Sequence, residues 1–205
     1  MASEAIRLAL LLADSRATTG PAAHALAALT CLHGARIPGR ISSQALVPLE
    51  DQDRTAWDGD LVLLGLRHLG ASASGSEVSV FHLEAGIAAN HVLAESVDKT
   101  DWTEITRLYD LLHARKPTPV VALSRAIARS RVLGARVGIE EILALDGRDR
   151  LDAYPFYWAA LGDLALRGDE RTKAAEWLTR GLACARTDAE REVFLRRIAE
   201  CNVTS

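Results

Sequence analysis

The stretch FYWAALGDLALRGDERTKAAEWLTRGLACA, residues 156–185, decides the expected fold class. Apolar residues recur with a helical period on both sides of Gly168-Asp169, a dipeptide that marks a tight turn. Small residues stand at Gly162, Ala174 and Gly181, where two antiparallel helices would cross. Helices approach each other more closely when the residues at their contact are small. The stretch therefore predicts a tightly packed helical hairpin.

This predicted hairpin resembles the tetratricopeptide (TPR) repeat, which combines a large residue, Leu-Gly, a tight turn and small residues at the helix crossing. Trp158 and Leu161 match the first helix of that pattern, and Leu178 would fill the groove between units. The clearest repeat spans residues 154–186, and residues 119–146 form a weaker copy. Such units stack to bury a continuous core, so we expect a right-handed TPR-like solenoid. A plain helical bundle is the alternative.

Helical periodicity also dominates the remainder of the chain, and no segment shows a sustained alternation of apolar and polar residues. We therefore expect an all-α protein with about ten helices in antiparallel pairs, forming a single domain over residues 1–205. The predicted helices cover residues 3–17, 21–36, 52–69, 76–95, 102–116, 119–133, 137–144, 151–167, 170–186 and 188–201.

Composition narrows the possible partners. The chain has a net charge of −3 and a pI of about 6.1. Phosphate binding requires a clustered basic surface, so we expect no direct binding of nucleic acid by this chain. The apolar run at residues 8–13 is too short to span a bilayer, and Glu4 and Arg7 interrupt the N-terminus. Neither a secretory signal nor a membrane contact is predicted.

The sequence patterns of common catalytic and metal sites are missing. There is no Gly-rich phosphate loop with its lysine, no Gly-x-Ser-x-Gly and no His-Glu-x-x-His. His82 and Glu84 would project about 200° apart on a helix, so they cannot chelate one metal ion. The three cysteines are too far apart to indicate a disulfide framework or a zinc site, which favours a reducing cytoplasm. We expect a cytoplasmic protein that is not an enzyme and uses no cofactor or metal.

A long loop, residues 34–48, follows the second predicted helix and is rich in Gly, Pro and Ser. Loops of this length are uncommon in compact helical domains and are often functional. The loop leads to LEDQDRTAWD, residues 49–58, which combines carboxylates, an amide, a guanidinium group and an indole. We expect Asp51 or Asp53 to cap the third helix and Trp57 to pack into the core.

Two further side chains of this motif, Gln52 and Arg54, allow a second role that is compatible with capping. We expect them to hold the long loop in place through charge-assisted hydrogen bonds. In that case the motif shapes a recognition surface in addition to stabilising a helix.

Six short motifs follow one another along the chain. They are EAIRLA at 4–9, LHGAR at 32–36, LEDQDR with Trp57 at 49–57, AGIAANH at 85–91, DW with Ile105 and Tyr109-Asp110 at 101–110, and PTPVV at 117–121. In this order they resemble the C-terminal extension of a bacterial group of extracytoplasmic-function (ECF) RNA polymerase sigma factors. In that family the extension is a TPR-like helical domain that follows the promoter-binding regions. The resemblance covers residues 4–199, and no part of the chain resembles sigma regions two or four.

The resemblance implies a regulatory domain that controls transcription initiation. We expect contacts with the sigma regions of the same polypeptide, with RNA polymerase or with a signalling protein. A stand-alone TPR-like scaffold that binds a peptide and has no role in transcription is the alternative. The chain departs from the family at Asn90, where cysteine is common, and at ISSQ, residues 41–44, where the family is more acidic and contains glycine. The residues expected to contact a partner or to brace the loop are Asp51, Gln52, Asp53, Arg54, Trp57, His33, Arg36 and His91.

Overall fold

The computed structural model describes residues 2–42 and 45–202, and within them the fold is α-helical apart from one pair of two-residue strands. The prediction of an all-α protein is confirmed. The helices of the described residues are α1 (Ala2–Asp14), α2 (Pro21–Ala35), α3 (Ile37–Arg40), α4 (Gly59–Ser72), α5 (Val80–Leu93), α6 (Trp102–Arg115), α7 (Pro119–Leu133), α8 (Ala135–Leu143), α9 (Pro155–Arg167), α10 (Arg171–Cys184) and α11 (Asp188–Cys201).

These elements form two compact units. Of the described residues, the first unit contains 2–41 and 47–115, and the second contains 42, 45–46 and 116–202. The sequence predicted one domain, and whether the two units act as one domain stays a prediction. The right-handed solenoid also stays a prediction.

The first unit is built around α2, which packs against α1, α4 and α5, while α5 also packs against α6. Alanines on α2, among them Ala25, Ala27 and Ala28, are fully buried and keep the helix thin. α4 lies close to α2, since a Cβ atom added at Gly65 would lie 2.8 Å from Leu32 Cγ. Small residues therefore allow three neighbouring helices to reach α2 at short range.

The second unit contains α7 to α11, and each of these helices packs against the next one along the chain. The predicted hairpin is formed by α9 and α10. A Cβ atom added at Gly162 would lie 2.5 Å from Leu178 Cγ, so α9 and α10 cross closely at this predicted small residue. Gly181 was also expected at this crossing, but a Cβ atom added there would meet the ring of Phe194 on α11. Trp158 is 9% exposed and its indole N–H donates to Asp152 O at 2.8 Å. The turn between the helices includes Asp169 with a left-handed φ of 60°.

The third predicted helix begins later than expected, since α4 starts at Gly59 and not at residue 52. Its N-cap is Asp58, whose Oδ1 accepts the Leu61 N–H at 3.0 Å. Trp57 has extended backbone angles and precedes the helix. The expectation that Trp57 lies on the third helix is therefore wrong, because the capping bond that starts the helix comes from the residue after it.

Neither of the two aspartates expected to cap the third helix does so. Asp53 Oδ1 accepts the Thr55 N–H at 2.9 Å and the Thr55 hydroxyl at 2.6 Å, which closes the 3₁₀ turn Arg54–Ala56. Asp51 belongs to an earlier 3₁₀ turn, in which its backbone N–H donates to Pro48 O at 3.0 Å. Short polar side chains that bond to nearby backbone favour turns over continuous helix, and here they delay the helix start.

The loop predicted for residues 34–48 contains regular structure. α2 continues to Ala35, α3 adds one helical turn, and β1 (Ile41–Ser42) pairs with β2 (Ala45–Leu46). Residues 43 and 44, part of the ISSQ departure from the sigma-factor extensions, lie outside the described residues. Across 2–42 and 45–202, no helix has the length and apolar character needed to cross a membrane.

Candidate interaction site

Arg54 joins the motif at residues 49–58 to the end of α5. Its Nη1 donates to His91 O at 2.6 Å and to Ala94 O at 2.7 Å. The last carbonyl groups of a helix have no partner within the helix, so a guanidinium group placed there satisfies them and complements the negative end of the helix dipole. Arg54 thus connects two segments that are 37 residues apart in sequence. These bonds go to the end of α5. The bracing of the long loop that was expected of Arg54 stays a prediction.

Gln52 does bond to the loop. Its Nε2 donates to Val47 O at 3.0 Å, and its Oε1 accepts a long hydrogen bond of 3.5 Å from Arg36 Nη2. Because Arg36 lies at the C-terminal end of α2, this amide links α2 to the last part of the loop. Gln52 therefore makes a hydrogen bond to the long loop, as the bracing hypothesis expected.

Trp57 lies at the centre of this group. The guanidinium carbon of Arg54 is 4.7 Å from the centre of the indole, and that of Arg36 is 5.3 Å from it. Gly39 of α3 covers the ring edge, since a Cβ atom added there would lie 2.6 Å from Trp57 Nε1. Guanidinium groups at this distance from an indole are attracted to the negative face of the ring.

Two histidines complete the cluster. Burial lowers the pKa of His91 to about 4, with smaller contributions from the charges of Arg36, Arg54 and His33. Desolvation, followed by the charges of Arg40 and Arg36, also lowers the pKa of His33, although this residue is exposed overall. Both imidazoles are therefore neutral at pH 7. His91 additionally packs edge-on against Trp102, with ring centres 5.4 Å apart.

Of the eight residues predicted for the site, six come together: His33, Arg36, Gln52, Arg54, Trp57 and His91. Asp51 and Asp53 are exposed and make the turn contacts described above. The hydrogen bonds from Thr55 lower the pKa of Asp53. That carboxylate is therefore ionised, and its contacts are with Thr55 in the same turn. We name the six residues that meet the Trp57 cluster.

The structure adds Gly39 and Arg40, which sequence reasoning missed. Both follow Arg36 in ARIPGR, residues 35–40, and the recurring arginine was a usable signal for a basic site. The close approach of Gly39 to the indole had no such signal, because it depends on a contact distant in sequence.

A pair of histidines forms outside this cluster: His24 Nδ1 and His68 Nδ1 are 2.9 Å apart. No three metal-binding side chains of the described residues are grouped to hold an ion.

Comparison with known proteins gives two matches. Residues 1–73 match the family described as "Family of unknown function (DUF6596)". The chain is also similar to "Uncharacterized protein R00370" of Rhizobium meliloti (strain 1021), with 32% identity over 197 residues, which covers 96% of this chain and 46% of that protein. The chain thus spans about half the length of this curated relative. No solved structure matches.

Proposed function

We propose that this chain is a non-catalytic regulatory domain that acts through protein–protein contacts, and that it controls an ECF-type sigma factor. Its partners are the sigma regions of the same polypeptide, RNA polymerase or a signalling protein. The Trp57 cluster forms part of that contact surface or holds it in shape.

One observation supports this proposal above the others. Three of the motifs that resemble the sigma-factor extensions, at residues 32–36, 49–57 and 85–91, are far apart in sequence and meet in the Trp57 cluster. The motifs therefore have a common structural role, which gives the resemblance a physical meaning. The matched relative is about twice as long as the aligned segment, and a protein of that length has room for other domains.

The test uses a complete reading frame in which sigma regions precede this chain, with a promoter–reporter as the readout. Arg54→Ala should change promoter activity at an unchanged level of protein, and Arg54→Lys should retain part of the wild-type response. Arg107→Ala is the matched control, because this exposed arginine forms an ion pair with Glu104, three residues away on the same helix. If Arg54→Ala leaves both folding and promoter activity unaltered, the role of the motif is refuted.

A binding assay separates the sigma-factor assignment from the role of the motif. The purified chain is tested against the isolated sigma regions and against core RNA polymerase. Retention of either one supports the proposal. Retention of neither, together with an absence of sigma regions in frame upstream of this chain in its gene, overturns it.

The second candidate is a peptide-binding scaffold without a role in transcription. It is favoured by a cavity of about 660 Å³ in the second unit, beside the end of α11. Its lining includes Arg171, Glu176 and Arg180, so it offers charges of both signs to a peptide. Peptide-library binding that is lost on Arg180→Ala, with promoter activity unaffected, would select this candidate.

A further inference from the structure

The Trp57 cluster contains buried hydrogen-bond donors that have no acceptor. Arg36 Nε, Arg54 Nη2 and Trp57 Nε1 are all inaccessible to solvent and unpartnered among the described residues. His91 Nδ1 is a fourth such atom, and it donates or accepts according to its tautomer. Buried polar groups in proteins nearly always have a partner, so four orphaned atoms in one cluster require an explanation.

The charge of the cluster is also uncompensated. Arg36 is only 6% exposed, and burial together with the charges of Arg40 and Arg54 lowers its pKa to about 10. Within residues 2–42 and 45–202, no carboxylate forms an ion pair with any of these three arginines. In the second unit, the partly buried Arg197 lies 2.8 Å from Asp163.

A ligand for this cluster must provide acceptors for the buried N–H groups and negative charge for the arginines. A water molecule can accept hydrogen bonds from some of these N–H groups, but it brings no negative charge. The carbonyl oxygens nearby, at His91 and Ala94, already accept bonds from the other terminal nitrogen of Arg54. An oxyanion provides several acceptor lone pairs and a negative charge together, and guanidinium groups suit its planar or tetrahedral oxygens.

We propose that the Trp57 cluster is an oxyanion-binding site, in which Arg36 Nε, Arg54 Nη2 and Trp57 Nε1 donate to the oxygens of one carboxylate or phosphate group. Arg54 and Trp57 are half-buried, whereas Arg36 is buried. This site goes beyond the proposed regulatory function, because it binds its anion whether or not the chain acts on a sigma factor.

The test is a titration of the ¹⁵N-labelled chain followed by NMR of its indole and guanidinium N–H groups. Potassium phosphate is added in one arm and potassium acetate in the other, each against potassium chloride at equal ionic strength and pH 7. The Trp57 indole and Arg36 Nε–H signals should shift and saturate with phosphate, with acetate or with both, and the effective arm identifies the chemistry. The indole signal of Trp177, in the second unit, should not follow the same curve.

The variants examine which atoms bind. Arg36→Lys keeps the charge and removes Nε, so it should weaken binding about tenfold, the effect of one charged hydrogen bond. Arg107→Lys makes the same substitution at an exposed position and should bind like wild type. Two results overturn the proposal: shifts of Trp57 no larger than chloride produces, or equal affinity in Arg36→Lys. The wild-type titration decides the matter even where Arg36→Lys does not fold.

Discussion

Arg54→Ala is the substitution that examines most directly how the first unit is held together. It removes the bonds to His91 O and Ala94 O, which leaves these two carbonyl groups at the end of α5 without their donor. It also removes the guanidinium group that lies 4.7 Å from the centre of the Trp57 ring. Because the side chain is half-buried, water replaces only part of these contacts.

The expected loss can be estimated from these contacts. Hydrogen bonds to a charged group contribute about 1.5–3 kcal/mol. The guanidinium–indole contact adds about 0.5–1 kcal/mol. The sum is reduced because removing Arg54 relieves its repulsion of Arg36. We therefore expect the free energy of unfolding of the first unit to fall by about 3 kcal/mol. Arg54→Lys should lose about half as much, because lysine keeps the charge and loses the planar fork.

Native-state hydrogen exchange resolves the two units and measures this loss. Amide exchange in α5 should accelerate about a hundredfold, while exchange in α9 of the second unit stays as in wild type. Arg107→Ala, which breaks an exposed pair, should leave stability close to that of wild type. The reasoning is refuted if Arg54→Ala is no more destabilising than Arg107→Ala, or if α5 and α9 respond alike.

Four further substitutions test close contacts and the half-buried His91. Gly39→Ala places a Cβ 2.6 Å from the Trp57 indole nitrogen and should lower the free energy of unfolding in urea by about 1–3 kcal/mol. Gly70→Ala is the control: no atom lies near the added Cβ in α4, and the substitution should raise that free energy by about 0.5–1 kcal/mol. Gly162→Ala should cost about 1–3 kcal/mol in the second unit; a neutral result would reject the close helix crossing. For His91, folding lowers the pKa from 6.5 to about 4, so the unfolded chain binds the proton more readily. The His91 contribution to stability is then fully present above pH 6.5, and the free energy of unfolding should fall by up to about 3 kcal/mol towards pH 4. His91→Gln should reduce the slope of stability against pH. An unchanged slope would contradict the assignment of this pH dependence to His91.

Sequence reasoning succeeded where the information is local and periodic. The α9–α10 hairpin follows from helical spacing, a turn dipeptide and a small residue at Gly162. Asp101 directly precedes α6, and its Oδ1 accepts the Glu104 N–H at 2.9 Å, which is a local capping bond. Both features are governed by residues a few positions apart, so they can be inferred without knowing which helices meet.

The same reasoning failed at residues 52–58, which were expected to form the start of a continuous helix over residues 52–69. Competing bonds from Asp53 and Asp58 turned this segment into a 3₁₀ turn and a late helix start. Several capping arrangements are compatible with the sequence there, and the one that forms also depends on what the segment contacts.

The sequence by itself determined the helical class, the hairpin and the residue types that form the Trp57 cluster. Tertiary structure alone decided that Arg54 bonds to carbonyl groups at the end of α5 and that Gly39 lies against the indole. It also decided that Arg36 is buried with no carboxylate paired to it in the described part of the chain. These facts depend on which helix ends come together, and the distances between them are set by packing over tens of residues. The surplus of buried donors around Trp57 is therefore visible only after the chain has folded.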